Sequence, residues 1–141
     1  METKLYFLET TPYVRRVQAY LDANGIPYTE QYLPAKPLSK EQLIELLQFT
    51  VIGVDEILAT QSNIYKELKA KGVDIEGYTI SGLWELFKEY PKLLRSPILV
   101  GKNTTIVGYN EEEMSVLKTR KRKKESYGLL LHEFQVRHLV S

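Results

Sequence analysis

Pro97-Ile98-Leu99-Val100-Gly101-Lys102-Asn103-Thr104-Thr105-Ile106-Val107 is the stretch on which the fold turns. Ile98, Leu99 and Val100 form an unbroken apolar run behind a proline, the pattern of a strand covered on both faces. Gly101-Lys102-Asn103 offers residues that accept left-handed backbone angles, so the chain reverses there. Thr105-Ile106-Val107 is β-branched throughout and returns as a second strand. Gly108-Tyr109-Asn110 ends it, and Asn110 is placed to cap a helix whose first turn is Glu111-Glu112-Glu113. Pro97 stands at the head of the first strand, where a missing N–H is tolerated. Both isomers of the Ser96–Pro97 bond are open to it.

Upstream, Lys4-Leu5-Tyr6-Phe7-Leu8 reads as another buried strand. Thr11-Pro12 supplies a helix N-cap and a proline at the first helical position. Val14, Val17 and Leu21 then recur on one helical face, and Asn24-Gly25 closes the helix. Tyr28 to Leu33 alternates and reads as a strand. Strand, helix and strand on such short links make a βαβ unit with parallel strands. From Pro34 to Tyr90 the periodicity is helical. Ser39 and Gln42 form a capping box ahead of Leu43, Ile44, Leu46 and Leu47. Gly53 breaks the pattern, and Val54 to Leu58 is one helical turn or two. Ser62 caps a segment carrying Ile64, Tyr65 and Leu68 and ending at Gly72. Thr79 or Ser81 caps another with Leu83, Trp84, Leu86 and Phe87, and Pro91 lies past its end. Tyr6, Tyr28, Tyr32 and Trp84 are expected in the core or at its edge. Beyond the hairpin come the short helix, a basic run, and an amphipathic pattern from Leu129 through Phe134 and Val136 to Leu139.

These elements predict an α/β fold: a thioredoxin-like four-stranded mixed sheet with a helical insertion, about residues 36–92, between the βαβ unit and the β-hairpin. One domain is expected over residues 1–141, with the basic run and a C-terminal helix over 118–141. The composition agrees: 43% hydrophobic and 26% charged residues are ordinary for a globular chain with one real core.

The net charge of +1 hides an asymmetry. Lys118, Arg120, Lys121, Arg122, Lys123 and Lys124 place six cations in seven residues, leaving the rest of the chain net acidic. Such a run can neutralise phosphates with strong salt dependence and no sequence selectivity, which makes these six candidates for non-specific DNA contact. The plainer reading is a solvated linker. Cysteine is absent, which excludes disulfides, thiol catalysis and thiolate metal sites. His132 and His138 have no acid or cysteine pattern around them, so neither a metal nor another cofactor is expected. No apolar run suits a membrane span, and the start of the chain, with Glu2, has no signal-like apolar region. The expectation is a cytoplasmic protein with no membrane partner. Arg15 and Arg16, near the start of the first helix, are placed either to attract an anion or to form a solvated face.

Four segments taken in order resemble a known family. Lys4-Leu5-Tyr6 is similar to the first strand of the Spx regulators, the arsenate-reductase-like group of thioredoxin folds. Gly53-Val54-Asp55-Glu56-Ile57-Leu58-Ala59-Thr60 resembles their G-x-D-E-I-x-x-T segment. Leu93-Leu94-Arg95-Ser96-Pro97-Ile98 resembles L-L-R-R-P-I, and Val107-Gly108-Tyr109-Asn110-Glu111 resembles V-G-Y-N-E. The likeness runs from about Lys4 to about Arg122. It implies a transcription regulator that reads no DNA sequence itself and binds the C-terminal domain of the RNA polymerase α subunit. The family's contact glycine carries over to Gly53, with Val54, Asp55 and Glu56 beside it. Contact of the basic run with DNA near the polymerase is then a secondary role.

The departures are informative. The family's C-x-x-C redox switch falls on Thr11 and Val14, so no thiol switch is present. The second arginine of R-R-P is Ser96, and basic positions flanking the glycine segment are Gln48 and Gln61. Arsenate reductases of the same group attack an oxyanion with a thiolate at a helix N-terminus, steadied by arginines. Thr11 occupies that place, with no base near it in sequence, so no catalytic residue is expected. Thr11, Val14, Arg15 and Arg95 remain candidates for an anion site or a former redox site. The alternative to the Spx-like regulator is therefore a catalytically inactive arsenate-reductase-like protein that binds another protein or an anion.

Overall fold

A computed structural model describes residues 2–117. Residues up to Tyr109 form one compact unit, and the chain from Asn110 onward belongs to a second. The first unit runs β1 (Thr3–Phe7), α1 (Pro12–Ala23), β2 (Tyr28–Tyr32), α2 (Lys40–Gln48), α3 (Val54–Ile57), α4 (Asn63–Ala70), α5 (Ile80–Glu89), β3 (Ile98–Gly101) and β4 (Thr104–Val107). Short 3-10 turns at Ile75–Gly77 and Pro91–Leu93 flank α5. In the second unit residues 111–117 are helical, and Asn110 caps them by accepting from the Glu113 N–H at 3.0 Å. The basic run and the Leu129–Leu139 pattern lie outside the described residues. No helix among the described residues is long and apolar enough to cross a membrane.

The four strands form one mixed sheet in the order β2-β1-β3-β4. β1 and β2 are parallel, as a βαβ crossover requires, and β3 pairs antiparallel with both β1 and β4. This is the thioredoxin-like α/β architecture. The hairpin turn is narrower than the sequence suggests. Gly101 pairs with Thr104, and Lys102 and Asn103 alone reverse the chain at φ 52° and 59°. Gly101 is needed for a different reason: a Cβ there would sit 2.7 Å from Thr3 Oγ1 and 3.2 Å from the Thr3 Cα. The Ser96–Pro97 bond is cis.

β1 also ends one residue early. The Leu8 N–H leaves the sheet to donate to Ser96 Oγ at 3.0 Å, so Leu8 belongs to the loop. Tyr32 stands at the edge of the core. It is 47% exposed, because among the described residues β2 is an edge strand of the sheet. Its ring rests on Phe7 with centroids 5.5 Å apart.

The helical insertion covers one face of the sheet. Leu43, Leu46, Ile57, Leu83, Leu86 and Phe87 pack in one buried cluster with Tyr6, Ile98 and Val100. Leu5, Leu99 and Ile106 are buried too and, by strand alternation, point to the other face. The crossover helix α1 covers that side, with Val14, Val17 and Leu21 fully buried. Trp84 is held at the edge of the insertion, its indole N–H donating to the Leu38 carbonyl at 2.9 Å.

Two polar details fix how the insertion sits on the sheet. Leu46 carries one of the last carbonyls of α2, which has no partner within the helix. The buried Thr105 hydroxyl of β4 donates to it at 2.7 Å. Thr105→Val keeps the shape and strands that carbonyl, so chemical denaturation should show a loss of about 1–3 kcal/mol. Tyr6 is the converse case. Among the described residues its buried hydroxyl has no hydrogen-bond partner. Burial, with the Glu45 carboxylate as a lesser cause, pushes its pKa up to about 12. The folded state thus favours the neutral phenol, and this contribution is present below the ordinary tyrosine pKa and fades as pH climbs toward about 12. Tyr6→Phe removes the unpaired hydroxyl. It should leave stability at pH 7 unchanged or raise it by about 1 kcal/mol.

Candidate functional site

The segment 50–57 is a tight loop leading into a single helical turn. Thr50 closes α2, its N–H and its hydroxyl both reaching the Leu47 carbonyl, at 3.1 and 2.6 Å. Gly53 follows at φ 85° and ψ −141°, a backbone region open essentially to glycine alone. It stands at the start of α3, and a Cβ placed on it would meet nothing within 4 Å. The position faces open space. Ile57, at the end of α3, is fully buried and ties the turn to the core.

The four residues singled out in the sequence behave differently from one another. Gly53 and Val54 are partly buried, and Asp55 is exposed. The Glu56 carboxylate is engaged by its own loop: Oε1 accepts from the Val51 N–H at 3.1 Å and from the Ile52 N–H at 3.3 Å. The Glu56 N–H in turn donates to the Gly53 carbonyl at 3.0 Å. Glu56 therefore works as a clamp on the loop. Sequence reading missed Val51 and Ile52 themselves, which are 91% and 67% exposed. The available signal was a β-branched apolar pair wedged between Thr50 and Gly53, outside any periodic pattern.

Of the residues grouped as an anion or former redox site, Thr11, Val14 and Arg15 stand at the start of α1 and Arg95 lies just before β3, next to Ser96, whose Oγ accepts from the Leu8 N–H of the loop that leads into α1. Thr11 is the N-cap of α1, its Oγ1 accepting from the Val14 N–H at 3.3 Å. The Val14 side chain is fully buried in the core, so it offers nothing to an anion. Arg15 is exposed, and the neighbouring Arg16 guanidinium lies over the Tyr13 ring at 5.7 Å. Arg95 belongs with α3. Its N–H donates to the Ile57 carbonyl at 2.8 Å and its guanidinium reaches the Glu56 carbonyl at 3.5 Å. Ala59 N–H to Leu93 O at 2.7 Å and a bridge between Leu58 and Leu94 complete the join. The G-x-D-E-I and L-L-R segments, some 40 residues apart in sequence, are thus zipped into one surface element.

Elsewhere, a cavity of about 200 Å³ opens beyond the C-terminal ends of β1 and β2, where parallel sheets commonly bind ligands. Leu8, Leu33, Trp84, Phe87 and Leu94 line it, a mostly apolar wall with Lys88 as its one charged member among the described residues. Among the described residues no cluster of histidine, aspartate and glutamate is arranged to hold a metal. The six basic candidates from Lys118 to Lys124 lie outside the described residues.

Residues 14–117 match the ArsC family. The chain belongs to that family. Its relatives include the "Global transcriptional regulator Spx 1" of Bacillus cereus, 36% identical over 110 residues that make up 78% of this chain and 82% of the relative. The Bacillus subtilis "Global transcriptional regulator Spx" is 33% identical over 117 residues, 83% of this chain and 87% of that one. Among solved structures, an ArsC family related protein from Bacteroides fragilis superposes with a TM-score of 0.67 at 23% identity, covering 83% and 98% of the two chains. An arsenate reductase from Vibrio cholerae gives 0.65 at 24% identity, covering 80% and 94%. At those identities the structures speak for the fold. The sequence relatives place the chain among the Spx-like regulators within the ArsC family.

Proposed function

We propose that this protein is a transcription regulator that binds the C-terminal domain of the RNA polymerase α subunit through the Gly53 loop, and that it does so without a thiol switch. The observation that carries the reading is the open face at Gly53: a glycine-only backbone on a clamped loop, with empty space where a side chain would stand. A partner's backbone can approach such a position closely. The relatives named as global transcriptional regulators support the class of function. The basic residues Lys118, Arg120, Lys121, Arg122, Lys123 and Lys124 would add secondary, sequence-neutral contact with DNA beside the polymerase.

Reductase chemistry is not part of this reading. Thr11 Oγ1 is committed to capping α1, and no histidine occurs before His132 to activate it. Purified protein should give no arsenate reduction above background with glutathione or thioredoxin as donor. Turnover that scales with protein concentration and disappears in Thr11→Ala would overturn that. Peroxide or diamide should likewise leave α-subunit binding unchanged, since no thiol is present and Met114 is fully buried. A change in affinity reversed by reductant would contradict the absence of a switch.

A further inference from the structure

Val51 and Ile52 are consecutive β-branched apolar residues, 91% and 67% exposed. Singly exposed apolar side chains are ordinary. What sets this pair apart is that the main chain beneath it is fixed. Both N–H groups donate to Glu56 Oε1, at 3.1 and 3.3 Å. Thr50, just before the pair, is tied twice to the Leu47 carbonyl. Gly53, just after it, accepts from the Glu56 N–H. A tip pinned at both ends loses little conformational freedom on docking. It also cannot fold its side chains back onto the core without breaking the clamp.

We infer that Val51 and Ile52 are the apolar anchor of the docking surface, seated in an apolar depression on the C-terminal domain of the α subunit, with Glu56 as the positioning residue that holds them out. This inference rests on the reading that the Gly53 loop binds that domain. The pair is continuous in sequence with Gly53, so a partner that approaches the glycine meets the tip. The chemistry around the tip favours apolar contact. Gln48 and Gln61, both exposed, stand where the family resemblance puts basic residues, and the exposed charges beside the tip are Asp55 and Arg95, whose guanidinium reaches the Glu56 carbonyl at 3.5 Å. Burial of the tip offsets the two missing cations, and the partner face that fits is apolar at its centre with polar or charged groups at the rim to meet Asp55 and Arg95.

Isothermal titration of the partner's isolated C-terminal domain into the full chain tests this. Val51→Ser and Ile52→Ser should each weaken binding by about tenfold or more. The wild type should bind with a negative heat-capacity change that shrinks in the double serine variant. Its affinity should vary little with salt between about 0.05 and about 0.3 M. Glu56→Ala should weaken binding with the fold retained by circular dichroism. Glu56→Gln, which keeps an acceptor oxygen, should recover most of it. If wild type binds and Gly53→Arg does not, while both serine variants bind like wild type, the anchor is overturned and the docking reading stands. If wild type fails to bind, both fall. A serine variant that changes the sedimentation of the protein alone would reassign the tip to self-association and overturn the inference.

Discussion

Gly53→Arg is expected to reduce capture of the C-terminal domain of the polymerase α subunit by about 100-fold or more, as loss of a central interface position does, while the protein stays folded. Two effects act at this position and differ in size. The backbone at φ 85° and ψ −141° suits glycine alone, so any side chain strains it by about 1–3 kcal/mol. A domain of this size has roughly 5–15 kcal/mol of stability, so the strain is survivable. A Cβ at this position meets nothing within 4 Å among the described residues, so an added side chain starts into open space, where an incoming partner would meet it. Gly53→Ala separates the two, because it carries the strain with little of the bulk. Melting curves should fall together for Ala and Arg, whereas binding should fall far more for Arg. Equal loss of binding in both variants would assign the glycine to backbone conformation alone. Full binding by folded Gly53→Arg would remove the loop from the interface.

Ile57→Ala should have the largest effect on stability, about 2–5 kcal/mol, with a melting temperature lower by roughly 6–20 °C. α3 is four residues long and buries one of them completely. Ile57 is also where the Arg95 N–H docks, so its side chain and its carbonyl anchor the same join. Deleting the side chain leaves a cavity beneath the loop. Binding should fall only in step with the folded fraction and return on cooling, unlike the loss in Gly53→Arg. A melting temperature within about 2 °C of wild type would show that the turn does not depend on this anchor.

Sequence reading reached most of the fold because local signals agreed with the global arrangement. Thr11-Pro12, Ser39 with Gln42, Ser62 and Thr79 all cap helices through the hydrogen bonds that their positions imply. The hairpin follows from apolar and β-branched runs on either side of Gly101-Lys102-Asn103, and the βαβ unit from an apolar run, an amphipathic helix and an alternating stretch. What stayed hidden depends on contacts distant in the chain. Tyr32 was expected in the core or at its edge, and only the strand order, with β2 at the sheet edge, decides for the edge. Leu8 looked like strand, but Ser96, 88 residues away, takes its N–H. At the candidate site, Gly53 was legible as a break. Glu56 was grouped with Gly53 as a partner contact, and only its reach back to Val51 and Ile52 reveals the clamp. Arg95 was grouped with Thr11 on chemical grounds, and its main-chain pairing with Ile57, far off in the chain, was not legible.

Binding is measured most directly by titrating the wild-type chain with the isolated C-terminal domain of the polymerase α subunit, once with reductant and once after peroxide treatment. The account predicts saturable one-to-one binding with the same affinity under both conditions. No detectable binding, or an affinity that shifts with oxidation and recovers with reductant, would contradict it.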